Sequence, residues 1–169
     1  MANIMTPNLT QKHFTSRLKH SIGINRTEGS PYSHFACLNS GSEAMELATR
    51  ITDLNTKLNN VDDKKTTFIT LKGGFHGRTY RAASISHSTK KMYDKYLHSF
   101  DKHQYIHTVE INNEQELVDI YYSLNEKYFI EGLVMEPVMG EGNPGIPLQP
   151  SFYKLARKIT KKNNSNLII

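Results

Sequence analysis

The run Asn39-Ser40-Gly41-Ser42-Glu43-Ala44 lies between an apolar stretch, Phe35 to Leu38, and an amphipathic helical pattern from Met45 to Leu58. A strand, a small polar turn and a helix start make an anion cradle. Gly41 lets the backbone approach a ligand, Ser42 offers a hydroxyl and an amide, and the helix start adds unpaired N–H groups at the positive end of its dipole. A phosphate suits such a place. The same residues also make an ordinary helix cap, with Ser40 or Ser42 as N-cap and Glu43 or Glu46 favouring the first turn. Other segments must decide between the two.

Two further segments carry chemistry. In Lys72-Gly73-Gly74-Phe75-His76-Gly77-Arg78-Thr79 the glycines around Phe75 and His76 imply a contorted backbone that approaches its neighbours closely. An aromatic ring there can stack on a flat ligand. The plainer alternative has Phe75 plugging the core and His76 capping Thr79. In Glu136-Pro137-Val138-Met139-Gly140-Glu141-Gly142 two carboxylates flank a loop stiffened by Pro137 and loosened by Gly140 and Gly142. Acids at the end of a buried strand are costly unless paired, which points to a cation or a protonated ligand nitrogen.

Apolar stretches alternating with helical patterns predict an α/β domain, with a mostly parallel sheet covered by helices on both faces. Strands are expected at Phe35–Leu38, Thr67–Leu71, Gln104–Thr108, Gly132–Met135 and Leu167–Ile169. Helices are expected at Gln11–His20, Glu43–Leu58, Thr79–Ser86, Glu114–Glu126 and Ser151–Lys162. The stretch from His87 to His103 shows no assignable period, and Gly140 to Pro150 reads as an ordered loop. Ligands of a parallel sheet bind beyond the carboxyl ends of its strands. The loops after Leu38, Leu71 and Met135 are the ones with unusual chemistry.

At 169 residues, 37% hydrophobic and 22% charged, the chain is long enough for one domain with a sizeable core. It has no apolar run long enough to span a membrane and no secretory-signal layout at its start, so a cytoplasmic protein is expected. The lone Cys37, inside an apolar stretch, reads as a buried thiol. The net charge of +5 has one source: Lys154, Arg157, Lys158, Lys161 and Lys162, without which the 21 basic residues fall to 16, equal to the 16 acidic ones. Phe152, Leu155, Ala156 and Ile159 recur between those charges, giving an amphipathic helix with a solvated basic face and no call for nucleic acid. His98, His103 and His107 fit no zinc spacing and read as solvated loop histidines, so no metal is expected.

Taken in order, the three motifs resemble those of class III aminotransferases, the pyridoxal-phosphate enzymes of fold type I that include ornithine, acetylornithine and 4-aminobutyrate aminotransferases. The resemblance runs from about Ser33 to Ile169. It implies that Ser40, Gly41 and Ser42 hold the phosphate of pyridoxal 5'-phosphate, that Phe75 stacks on the pyridine ring with His76 in support, and that Glu136 organises the cofactor. It makes Glu141 the acid that pairs with a substrate-binding arginine. Met139 departs from the family, which usually has glutamine there. The expected organisation is an N-terminal remnant at 1–32, helical and partly disordered, and a truncated large domain at 33–169.

Such chemistry needs a lysine for the Schiff base and an acid to hold the pyridine nitrogen protonated. In the family the acid follows a strand like Leu167-Ile168-Ile169 and the lysine lies further on, so the chain reads as a fragment, inactive alone and with no catalytic residue of its own. Lys72, at the end of a strand, is the best-placed substitute, yet it matches no family lysine. The full-length reaction implied is amino transfer from an amino acid or ω-amino acid to a 2-oxo acid, in a homodimer. The alternative is a non-catalytic module that binds a related subunit.

Overall fold

The computed structural model describes residues 8–98, 100 and 106–169. Two compact units divide between Cys37 and Leu38. In the first, helix α1 (Leu9–Gly23) starts at Asn8, whose side chain accepts the Thr10 N–H. The expected strand at Phe35–Leu38 does not form: these residues have no ladder partner among the described residues, and Cys37 is exposed rather than buried.

The second unit holds a parallel sheet of β1 (Lys65–Leu71), β2 (Ile106–Val109), β3 (Tyr128–Val134) and β4 (Asn166–Ile168), in the order β2-β1-β3-β4. Residues 104 and 105 of the expected second strand lie outside the described residues. The helices are α2 (Gly41–Asn59), α3 (Tyr80–Ser84), α4 (His87–Tyr96), α5 (Glu114–Asn125) and α6 (Pro150–Lys162). Helix α4 occupies the stretch without a period. Thr89 is its one buried residue, so no apolar stripe marks it.

Side-chain alternation along β1 sends Ile69 and Leu71 to one face and Phe68 to the other. The first face packs with Leu117, Tyr121 and Leu124 of α5 and with Phe152, Ala156 and Ile159 of α6. On the opposite face Phe68 and Val134 pack with Ile85, and Met45 of α2 closes over them. Helix α6 is as its spacing predicts, apolar inward and with Lys154, Arg157, Lys158, Lys161 and Lys162 all exposed.

Helix α2 is less ordinary. Thr49, Thr52 and Thr56 are its buried residues, whereas Ile51, Leu54 and Leu58 are 50%, 66% and 78% exposed. The inward hydroxyls of Thr49 and Thr52 donate to the carbonyls of Glu46 and Thr49, at 3.0 and 2.6 Å, which removes most of the cost of burying them. Among the described residues, no helix is long and apolar enough to cross a membrane.

Candidate functional site

The carboxyl ends of β3 and β4, the loop after β1 and the first turn of α2 enclose a cavity of about 430 Å³. Its floor is apolar, from Met45, Val134 and Ile168, and its walls carry Ser40, Gly41, Ser42, Phe75, His76 and Glu136. Six of the seven site residues expected from the sequence therefore meet in one place, and Glu141 is not among the lining residues.

At the start of α2 the helix cap and the cradle coexist. Ser40 is the N-cap, its hydroxyl oxygen accepting the Glu43 N–H at 3.3 Å, while the Glu43 carboxylate reaches back to the Asn39 N–H at 2.8 Å. The amides of Gly41 and Ser42 open the helix and have no acceptor within it. Beside Gly41 the space is open, with no atom within 4 Å of where a Cβ would stand. The Ser42 hydroxyl oxygen accepts the Arg78 N–H at 3.1 Å, which leaves its proton free to donate.

The loop after β1 is pressed against that turn. Gly77 has φ +129°, and a Cβ there would lie 2.7 Å from Ser42 Oγ, so glycine is required both by conformation and by space. His76 is buried, with Nε2 2.9 Å from Thr70 Oγ1 and its amide donating to Ser86 Oγ at 2.8 Å. Burial lowers its pKa to about 4, so the ring is neutral and braces the loop. It makes no capping bond to Thr79, whose helix start is held from α2 instead. Phe75 is half-buried at the cavity wall, with the Arg78 guanidinium 5.8 Å from its ring centre.

Among the described residues Glu136 meets no cation: Oε1 accepts the Phe75 N–H and Oε2 the Gly140 N–H, both at 2.8 Å. These two hydrogen bonds join the two loops into one wall. Glu141 is exposed and lies 3.9 Å from Arg78. Met139, at the position of the family's glutamine, is buried in the core against the α5–α6 layer and does not line the cavity. Lys72 turns away as well, its ammonium held by Glu110 beside a separate cleft with His87 and Lys91.

Of the histidines weighed for a metal, His103 lies outside the described residues. His107 is no loop residue. It sits half-buried in β2 against Tyr128, with its pKa lowered by burial.

Other supports of the site carry no motif. Glu46 takes the Arg81 and Ala82 amides at 2.9 and 3.3 Å, and Arg81 is paired with Asp53 and, at 3.6 Å, with Glu131 of β3. Burial raises the Glu131 pKa. The one sequence signal was spacing, since Ser42, Glu46 and Asp53 recur along one face of α2.

Comparison with known proteins gives the family and the fold. A family model described as aminotransferase class-III matches residues 2–169. An acetylornithine aminotransferase of Clostridium acetobutylicum is 32% identical over 79% of this chain and 32% of its own length. One from Methanosarcina acetivorans is 30% identical over 94% of this chain and 34% of its own length. The chain thus spans about a third of the curated relatives it matches. Among solved structures, the ornithine aminotransferase of Toxoplasma gondii superposes with a TM-score of 0.71 at 19% identity, covering 99% of this chain and 36% of that one. The fold is accordingly part of the large domain of the fold-type-I transaminases. With three motifs converging on one cavity and a family model matching residues 2–169, this chain belongs to the class III aminotransferases, a pyridoxal-phosphate-dependent family.

Proposed function

We propose that this segment holds pyridoxal 5'-phosphate, with the phosphate on the first turn of α2 and the ring against Phe75. It does so as part of an enzyme that moves an amino group from an amino acid or ω-amino acid to a 2-oxo acid. The observation that carries the reading is the open space beside Gly41. Gly41 and Ser42, whose amides have no acceptor in the helix, line the same cavity as Phe75, and the Ser42 hydroxyl keeps its proton to donate. The residues present fit the group: donors at one end, an aromatic wall and an apolar floor along its length.

When bound, the cofactor supplies an electron sink for breaking bonds at the substrate carbon. The chain's own residues bind and orient. Ser42 and the helix dipole hold the dianion, while Glu136 fixes the backbone of Phe75. Neutral His76 keeps the loop rigid and takes no part in moving a proton. Arg78, exposed beside Phe75 and Glu141, places a positive charge where a substrate carboxylate enters, and Glu141 moderates that charge. The relatives named above are aminotransferases, which favours this reading over a non-catalytic module.

Calorimetric titration of the purified protein with pyridoxal phosphate and with pyridoxal tests the reading. The phosphate is expected to be required, and Ser42→Ala to weaken binding about tenfold, the scale of one charge-assisted hydrogen bond. Equal affinity for the two compounds, or an unaffected Ser42→Ala variant, refutes it.

A further inference from the structure

Resting on that reading, we infer that Glu46 is a positioning residue: it sets the Phe75 loop against the phosphate-binding end of α2, so cofactor affinity depends on a carboxylate outside the cavity. Four side chains accept amides of the segment from Phe75 to Ala82. Glu136 takes the Phe75 amide and Ser86 the His76 amide, Ser42 takes the Arg78 amide, and Glu46 takes those of Arg81 and Ala82. Glu46 is the one of these acceptors that takes the opening amides of α3, a short helix whose N-cap, Thr79, makes no side-chain capping bond. Without it the first amides of α3 have no acceptor in the helix.

The placement follows from helix geometry. Ser42 and Glu46 are one turn apart on the same face of α2, and Asp53 continues that face two turns on. The segment Arg78–Ala82 lies along it. Arg78 meets Ser42 and Arg81 meets both Glu46 and Asp53, while the Thr79 hydroxyl is 3.4 Å from the Ser42 carbonyl and near enough to the Glu46 carboxylate to lower its pKa. There is no slack in the joint, because a Cβ at Gly77 would sit 3.0 Å from the Ser42 Cα. Burial pushes the Glu46 pKa up, but the Thr79 hydroxyl, the two amides and the Arg81 guanidinium outweigh it and hold it below the usual range. The carboxylate is therefore charged at neutral pH, and its bonds to α3 are the stronger, charge-assisted kind. Glu46 itself does not line the cavity, so its effect on a bound group passes through the loop.

The experiment compares the wild-type protein with Glu46→Ala and Glu46→Gln by calorimetric titration with pyridoxal phosphate, circular dichroism of the bound cofactor, amide exchange over residues 75–84 and thermal unfolding. Glu46→Ala is expected to speed exchange at Arg81 and Ala82, to change the cofactor's induced dichroism and to raise its dissociation constant about tenfold, the lower end of what outer hydrogen-bonding partners do for a bound group. Glu46→Gln, which keeps an acceptor, is expected to recover most of the affinity. A lower melting temperature in Glu46→Ala with unchanged affinity and dichroism makes Glu46 a structural residue only and overturns the inference. If Glu46→Ala does not fold, Thr79→Val removes the hydroxyl that lies beside Glu46 and leaves the α3 amides capped. A roughly threefold weaker affinity is then expected on the same scale, and an unchanged one overturns the inference. A wild-type protein that binds pyridoxal as well as pyridoxal phosphate removes the reading of the cavity and this inference with it, a pattern distinct from failure of the variants alone.

Discussion

Acidification should destabilise this fold through His76 in a way that one substitution isolates. The ring is 7% exposed, and its pKa is lowered by burial from 6.5 to about 4. In the unfolded chain the same ring titrates near 6.5, so between those values the unfolded state binds more protons. The neutral ring's stabilisation is fully present above pH 6.5, falls as the pH drops, and levels off below about 4. A shift of about 2.5 units at about 1.36 kcal/mol each gives about 3 kcal/mol over the window. Glu131 acts in the opposite sense, since burial raises its pKa and the folded state takes up its proton first. His87 and His107 are lowered and add to the loss. Comparison with His76→Gln cancels these other groups. Urea unfolding at about pH 7.5, 6.5, 5.5 and 4.5 is the assay, and in the lower half of that range the wild type should lose about 1.4 kcal/mol more per unit than the variant. Parallel pH profiles, or a His76 ring proton that titrates near 6.5 by NMR, would refute the reasoning.

Two other outcomes are expected. Gly77→Ala forces a Cβ to within 2.7 Å of Ser42 Oγ at a φ of +129°. It should cost about 2 kcal/mol in urea unfolding and weaken pyridoxal phosphate binding in the same sample. Cys37, the single cysteine, is exposed, so it should react with a disulfide reagent as fast in native buffer as in denaturant; a protected thiol contradicts the structure there.

What was legible in the sequence is what periodicity and glycine encode. Phe152, Leu155, Ala156 and Ile159 announced α6 and its inward face, and the apolar runs of β1 and β3 announced the buried centre of the sheet. Phe35–Leu38 misled because an apolar run becomes a strand only beside a partner, which composition does not supply. Helix α4 hid because it buries too little to leave an apolar stripe. The true partners of Glu136 were beyond reach for another reason: backbone amides are the same at every residue, so a carboxylate bound to them leaves no mark in its neighbours' identities. Met139 stood out in the sequence only as a departure from the family's glutamine, and its burial was not legible there. The loop doubles back through the Val138–Pro147 bridge, with Gly145 N–H on the Met139 carbonyl, and buries it in the core.

The register of β3 has a consequence for insertions and deletions. Thr67 pairs with Ile130 but Phe68 pairs with Gly132, so Glu131 is an extra residue in the strand. That is why Ile130 and Leu133, an odd number apart, pack in the same layer. Strand β3 is in effect written in two reading frames, and the second frame delivers Val134 and Glu136 to the cavity. Loss of Glu131 itself would restore plain alternation and leave Leu133 and Val134 on their present faces, whereas loss of Leu133, beyond the bulge, would carry Val134 to the opposite face. The loop behind it would then present its prolyl ring where its carboxylate now ties two loops together.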